Sequence, residues 1–246
     1  MLNKAWINDW PELLPFFLSL WHDFLKEPFD TMPRGCEKLY MRVRELFFGF
    51  KWFEVYDFLE FVVNNHPNKS INERFKKECN SILEEEMSAY RFVGNQIVQI
   101  TSEEEISEIE RAMESPVETV RVHLENALKL MSDRRFPDYR NSVKESISAV
   151  EAMCKKIAHD EKATLGKALD EIEKQGRIDL HPALKEAFSK LYGYASSAEG
   201  IRHALLEEKV SLSLEDARFM LVACSAFINY LIAKSSKAGL DLKRSP

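Results

Sequence analysis

The sequence is poor in the residues that interrupt helices. Only 8 glycines and 9 prolines occur among 246 residues, a composition that favours a mainly helical fold. The four cysteines are scattered, with no C-x-x-C pair and no histidine at metal-ligand spacing. We therefore expect a reduced, cytoplasmic protein without disulfides or structural zinc, and we predict no cofactor.

Long apolar runs and a strong net charge are also missing. Residues 219–233 form the longest apolar run, which is shorter than the roughly 18 residues of a membrane span. Residues 6–21 include Asp9, Glu12 and Pro15, which do not fit a secretion signal. We expect a soluble protein that makes no membrane contact. A net charge of −6 gives no global attraction to nucleic acid, so RNA contact would require a local basic surface.

The common catalytic signatures do not occur in the sequence. There is no glycine-rich phosphate loop, no G-x-S-x-G and no H-E-x-x-H. Nucleotide-binding, hydrolase and metalloprotease functions therefore lack support.

Apolar residues recur at helical spacing along most of the chain. The first predicted helix starts near Trp10, and further helices are predicted over 36–48, 51–63, 71–87 with a cap at Ser70, and 104–113. All four tryptophans and ten of the 16 phenylalanines lie in residues 1–65. We interpret this aromatic region as core and not as a base-stacking surface, because its residues keep helical spacing.

One segment predicts β-structure. Two short β-branched and aromatic runs flank Gly94-Asn95, which is typical of a two-residue hairpin turn. The predicted fold class is therefore mainly α, a multi-helix bundle with one short β-hairpin near residues 90–100. Ser115-Pro116 is the predicted seam between an aromatic-rich region, 1–115, and a helical bundle, 116–236. A tail, 237–246, follows, and a single shared core for the two regions is the alternative.

The most regular amphipathic helix follows Phe136-Pro137-Asp138, which predicts a helix start with proline in the first turn. Basic residues cluster where this helix begins, namely Arg134, Arg135, Arg140 and Lys144. Such a cluster can follow RNA phosphates. It can equally be a solvated face balanced by Glu145 and Glu151.

The pair Arg202-His203 carries the clearest catalytic potential. It precedes a capping-box sequence, Ser213 to Asp216, and the apolar final helix. An imidazole can move a proton to or from a ribose hydroxyl, and a guanidinium can hold the phosphate. In the alternative interpretation, Arg202 pairs with Glu199 or with a helix end, and His203 packs inside the fold.

Four segments are similar to a known family: residues 139–151, 200–204, 216–231 and the hairpin with its following helix start, 90–105. The C-terminal half resembles the HEPN superfamily of small helical bundles from bacterial defence and toxin systems. The whole chain resembles the abortive-infection AbiJ-type N-terminal domain proteins of the fourth subtype.

This resemblance implies an all-helical bundle that commonly forms dimers. Active HEPN proteins are metal-independent ribonucleases that use Arg-x(4–6)-His near the start of the last helix. Here Arg202 and His203 are adjacent, and neighbours on a helix diverge by about 100°. The two side chains would share one phosphate only on irregular backbone or across a dimer interface.

The first hypothesis is therefore an antiphage, abortive-infection protein that binds RNA and cleaves it without a metal. His203 would be the acid-base group and Arg202 the phosphate holder, with Arg140, Lys144, Arg134 and Arg135 contacting RNA. The expected partners are RNA, a second copy in a homodimer and a defence-system protein. The alternative is an inactive interaction and dimerisation module that regulates such a protein.

Overall fold

The computed structural model describes residues 10–100, 102–196 and 212–243. These ranges contain ten α-helices and one two-stranded antiparallel hairpin, which confirms the predicted mainly α, multi-helix fold. The helices are α1 (Trp10–Ser19), α2 (Cys36–Gly49), α3 (Trp52–Asn65), α4 (Lys69–Glu85), α5 (Glu103–Met113), α6 (Glu118–Ser132), α7 (Tyr139–Ala158), α8 (Leu165–Lys174), α9 (Pro182–Ser196) and α10 (Leu214–Lys237), and the strands are β1 (Arg91–Val93) and β2 (Gln96–Val98).

The chain divides into two compact units, Met1–Ile97 and Val98–Pro246. This division lies before α5, whereas the sequence placed a seam after it, at Ser115-Pro116. In the structure α5 packs against α10 of the second unit. The predicted organisation of 1–115, 116–236 and 237–246 stays a prediction. Leu242 is buried, so the predicted tail is not wholly exposed.

Aromatic side chains form the core of the first unit. Phe16, Phe17 and Trp21 are buried, and the indole N–H of Trp21 donates to the Pro28 carbonyl at 3.0 Å. This agrees with the interpretation of the aromatic region as core. Phe29, Phe48 and Trp52 are exceptions, since more than half of the surface of each is exposed.

The hairpin occurs where the sequence predicts it. Gly94 adopts φ 56° at the first position of the turn, a conformation that favours glycine. Helix α4 holds the outer edge of β1 through Asn80, whose side-chain amide donates to the Phe92 carbonyl at 3.0 Å and accepts the Phe92 N–H at 2.6 Å. The carboxylate of Glu60 on α3 accepts the N–H of Ile97 on β2.

Two predicted helix starts are wrong. Helix α4 is capped by Asn68 and not by Ser70, because the Asn68 side chain accepts the Ile71 N–H at 3.1 Å. Helix α7 begins at Tyr139 and leaves Pro137 outside its first turn. Asp138 is the N-cap there, since its carboxylate accepts the Asn141 N–H at 2.9 Å.

Helix α7 is the central element of the second unit and packs against α6, α8 and α10. The sequence predicts an apolar stripe of Tyr139, Val143, Ile147, Val150, Cys154 and Ile157 on this helix. All are buried except Tyr139, which is half-buried. Small side chains allow α6 to approach α7 closely. The Ser142 hydroxyl donates to the Ala127 carbonyl at 2.8 Å across this contact.

Helix α10 is longer than the apolar run predicted from the sequence. It begins at the predicted capping box, in which the Ser213 N–H donates to Asp216 at 2.9 Å. By length and composition this 24-residue helix could span a membrane, and it is the one such helix in the described ranges. Half of the most apolar window of this helix is buried inside the fold.

Candidate functional site

The predicted catalytic pair lies outside the described residues. Helix α9 ends at Ser196, and Arg202 and His203 lie between the described ranges 102–196 and 212–243. Their roles stay predictions.

The four predicted RNA-contacting residues come together at the connection between α6 and α7. Arg134 and Arg135 lie in this connection, and Arg140 and Lys144 lie one turn apart at the start of α7. Lys129 adds a fifth basic side chain in the last turn of α6. Residues 129–145 contain five basic and three acidic residues, so this segment is locally positive in a chain of net charge −6.

Two aspartates hold the connection in a defined shape. One carboxylate oxygen of Asp133 accepts the N–H groups of Arg135 and Phe136, each at 2.8 Å. At the other end, the Asp138 N–H donates to the Leu130 carbonyl at 3.0 Å while its side chain caps α7. The hydrogen bonds from the Phe136 and Arg135 N–H groups lower the pKa of Asp133, aided by the neighbouring Arg135 and Arg134 charges. Asp133 is therefore held as a carboxylate.

The connection presents an exposed aromatic ring. Phe136 is 82% exposed, and it borders a surface cavity of about 340 Å³ between α6 and α7. The cavity combines apolar, amide, cationic and anionic groups. Its lining residues are Asn126, Lys129, Leu130, Asp133, Phe136 and Glu145.

The acidic residues next to the basic cluster contact other basic side chains. A carboxylate oxygen of Glu145 lies 2.7 Å from the imidazole Nδ1 of His123 and accepts a hydrogen bond from it in the tautomer that carries the Nδ1 proton. Glu151 forms an ion pair with Lys155 at 2.6 Å, and its carboxylate also accepts the Leu165 N–H at the start of α8. Both carboxylates thus have partners that the sequence did not assign to them.

Metal-binding and thiol chemistry find little support in the described ranges. There, no group of three or more His, Cys, Asp or Glu side chains lies close enough together to hold a metal ion. Burial raises the pKa of the Cys154 thiol, helped by the nearby Glu151, and burial raises that of Cys224 to about 12. These two thiols are therefore protonated and unreactive in the folded protein.

Sequence reasoning missed Phe136, Asn126 and Lys129 as functional candidates. Phe136 follows two arginines directly, and an aromatic residue beside basic residues is a usable signal for single-stranded RNA contact. Asn126 and Lys129 carry no comparable signal, because their position at the cavity depends on how α6 packs against α7.

Residues 3–115 match the family model described as AbiJ N-terminal domain 4. This finding supports the AbiJ part of the predicted resemblance for the N-terminal part of the chain, and the match does not extend over α6 to α10. No curated protein and no solved structure is significantly similar to the chain.

Proposed function

We propose that this chain is a cytoplasmic protein of a prokaryotic abortive-infection system that binds RNA through the α6–α7 connection. The match of residues 3–115 to AbiJ N-terminal domain 4 supports the association with defence. The observation behind RNA binding is the group of five basic side chains between residues 129 and 145. Clustered cations bind phosphates even on an acidic protein, because screening limits the effect of distant charges.

The proposal includes cleavage of the bound RNA at Arg202 and His203. His203 would take the proton of a ribose 2′-hydroxyl, whose oxygen then attacks the adjacent phosphorus and displaces the 5′-oxygen. Arg202 would hold the phosphate oxygens, and the leaving 5′-oxygen would take a proton from an acid, either His203⁺ or water. Adjacent residues on one helix diverge, so a homodimer that pairs Arg202 with the second copy's His203 fits this chemistry.

RNA binding is tested with a double charge reversal at Lys129 and Lys144. Lys129 is exposed, and the Lys144 ammonium donates to Asn141 at 3.3 Å, so both substitutions should leave the core intact. Arg140 is less suitable because its Nε is buried. We expect Lys129→Glu with Lys144→Glu to lower RNA affinity at least about tenfold and to reduce the salt dependence by roughly one to two phosphate contacts.

The matched control is Lys174→Glu with Lys190→Glu. These lysines lie on α8 and α9 with side chains 72% and 77% exposed, and the substitutions change the net charge equally. Fluorescence anisotropy with labelled RNA over a salt series gives both the RNA affinity and its salt dependence. An equal loss in the two double variants would show that net charge alone governs binding and would contradict a specific surface.

Cleavage is tested separately with structured RNAs in EDTA, using the wild type, Arg202→Ala and His203→Ala. Loss of cleavage in both variants, with unchanged circular dichroism, is the result expected for a metal-independent ribonuclease. Binding without cleavage in the wild type would reject catalysis and retain RNA binding.

The second candidate is an interaction and dimerisation module that regulates a defence partner protein. Helix α2 favours it, since Met41 and Phe48 are mostly exposed there and the Arg44 guanidinium lies 4.9 Å from the centre of the Phe48 ring. These residues border a surface cavity along the helix. Light scattering of the wild type and Met41→Glu with Phe48→Glu tests self-association through α2, and a dimer unaffected by the change would exclude this face.

A further inference from the structure

The turn that contains Phe136 leaves its side chain exposed to solvent. Burial of a phenylalanine side chain is favourable, and here a constrained segment leaves the ring exposed to solvent and available to a ligand. Asp133 binds the backbone N–H of Phe136, and Asp138 ties the other end of the connection to Leu130. The backbone that carries the ring is therefore held in a defined turn and does not belong to a loose loop.

The cavity beside Phe136 has the size and lining of a site for one nucleobase. A volume of about 340 Å³ lies at the lower end of small-ligand sites. The Phe136 ring and Leu130 offer apolar surface for the face of a base. The side-chain amide of Asn126 offers both hydrogen-bond donors and an acceptor for its edge.

We propose that this cavity receives one unpaired nucleobase of the bound RNA, stacked on Phe136 with its edge towards Asn126. The inference rests on the proposed RNA binding, and it names single-stranded RNA as the class of ligand. Lys129 borders the same cavity and would contact the phosphate next to the inserted base.

The charges favour a base over a phosphate inside the cavity. Asp133 and Glu145 line it, and carboxylates repel phosphate but accept hydrogen bonds from the amino and imino groups of bases. The phosphates would instead follow the basic residues outside. Bases in a duplex are stacked and paired and cannot enter, whereas an unpaired base can lie on an aromatic side chain. The site therefore discriminates single-stranded from double-stranded RNA.

The test compares Phe136→Ala and Phe136→Trp with the wild type on two ligands, a single strand and a blunt duplex of the same sequence. We expect Phe136→Ala to weaken binding of the single strand about tenfold, because stacking on one aromatic ring contributes at this level. Duplex binding and the salt dependence should not change. Phe136→Trp should bind the single strand as tightly as the wild type, since an indole ring stacks on a base at least as well as a phenyl ring does.

Phe219→Ala is the matched control, because Phe219 is also an exposed phenylalanine, with 59% of its surface accessible on α10. It should bind both ligands as the wild type does. If Phe136→Ala leaves single-strand binding unchanged while Lys129→Glu with Lys144→Glu reduces it, the nucleobase site is wrong and RNA binding stands. An equal loss on duplex and single strand would also reject the site. Absence of RNA binding by the wild type would reject both proposals.

Discussion

The imidazole Nδ1 of His123 lies 2.7 Å from a carboxylate oxygen of Glu145, which joins α6 to α7 beside the cavity. The two residues are 22 positions apart in sequence. About a third of each side chain is exposed, so the contact is partly screened by water.

We expect a modest coupling between these two residues. A double-mutant cycle of His123→Ala and Glu145→Ala, followed by urea unfolding, should give a coupling free energy of about 0.5–1 kcal/mol. Additive effects of the two substitutions would show that the contact does not stabilise the α6–α7 pair.

Asp133 should stabilise the connection in a pH-dependent manner. Asp133→Ala removes the acceptor of two backbone N–H groups, and we expect a loss of about 1 kcal/mol in the free energy of unfolding. Because folding lowers the pKa of Asp133, this stabilisation is complete above the unfolded-state pKa of the side chain and is lost as the pH falls through the lower folded-state pKa. The difference between wild type and variant should therefore shrink in acid. Glu125→Ala, at an exposed position on α6, serves as the control.

Asn126 should determine which base the cavity prefers. An amide reads the edge of a base through paired donor and acceptor groups, whereas stacking on Phe136 tolerates any base. We expect Asn126→Ala to reduce the differences in affinity among short homopolymers of the four nucleotides, with a smaller effect on the mean affinity than Phe136→Ala. Unchanged base preferences would show that a residue other than Asn126 contacts the edge of the base.

The buried thiols should report on opening of the second unit. Burial raises the pKa of Cys224 to about 12 and also that of Cys154, so neither forms the reactive thiolate near neutral pH. We expect iodoacetamide to modify both only after urea unfolds the protein, with mass spectrometry locating the labels. Rapid labelling of Cys224 under native conditions would contradict its place in the core.

Most of the helical architecture follows from local sequence. The apolar stripe of α7 and the Ser213–Asp216 capping box can be predicted from the sequence, because apolar spacing and capping chemistry act within a few residues. The start of α4 cannot be predicted from the sequence alone, since Asn68 and Ser70 are both favourable N-cap residues. The choice depends on Asn72, whose buried amide donates to the carbonyls of Val63 and His66 at 3.0 Å each and so fixes the turn after α3.

The candidate site was predictable in its charges but not in its shape. Arg134, Arg135 and Lys144 stand out in the sequence of an acidic chain. The cavity depends on tertiary packing, because Asn126 on α6 and Glu145 on α7 meet only in the register set by that helix pair. No local pattern encodes a register between two helices, so the sequence around Phe136 predicts only a helix start.

The hairpin of the first unit has a further consequence for how this protein behaves at high concentration. A two-stranded sheet ordinarily offers two outward-facing rows of backbone groups to any passing extended chain. Here the amide of Asn80 occupies the N–H and carbonyl of Phe92 on one row, and Glu60 occupies the N–H of Ile97 on the other. Two side chains thus occupy backbone groups with which a third strand would pair. They protect the hairpin against aggregation by strand pairing as long as the neighbouring helices remain folded.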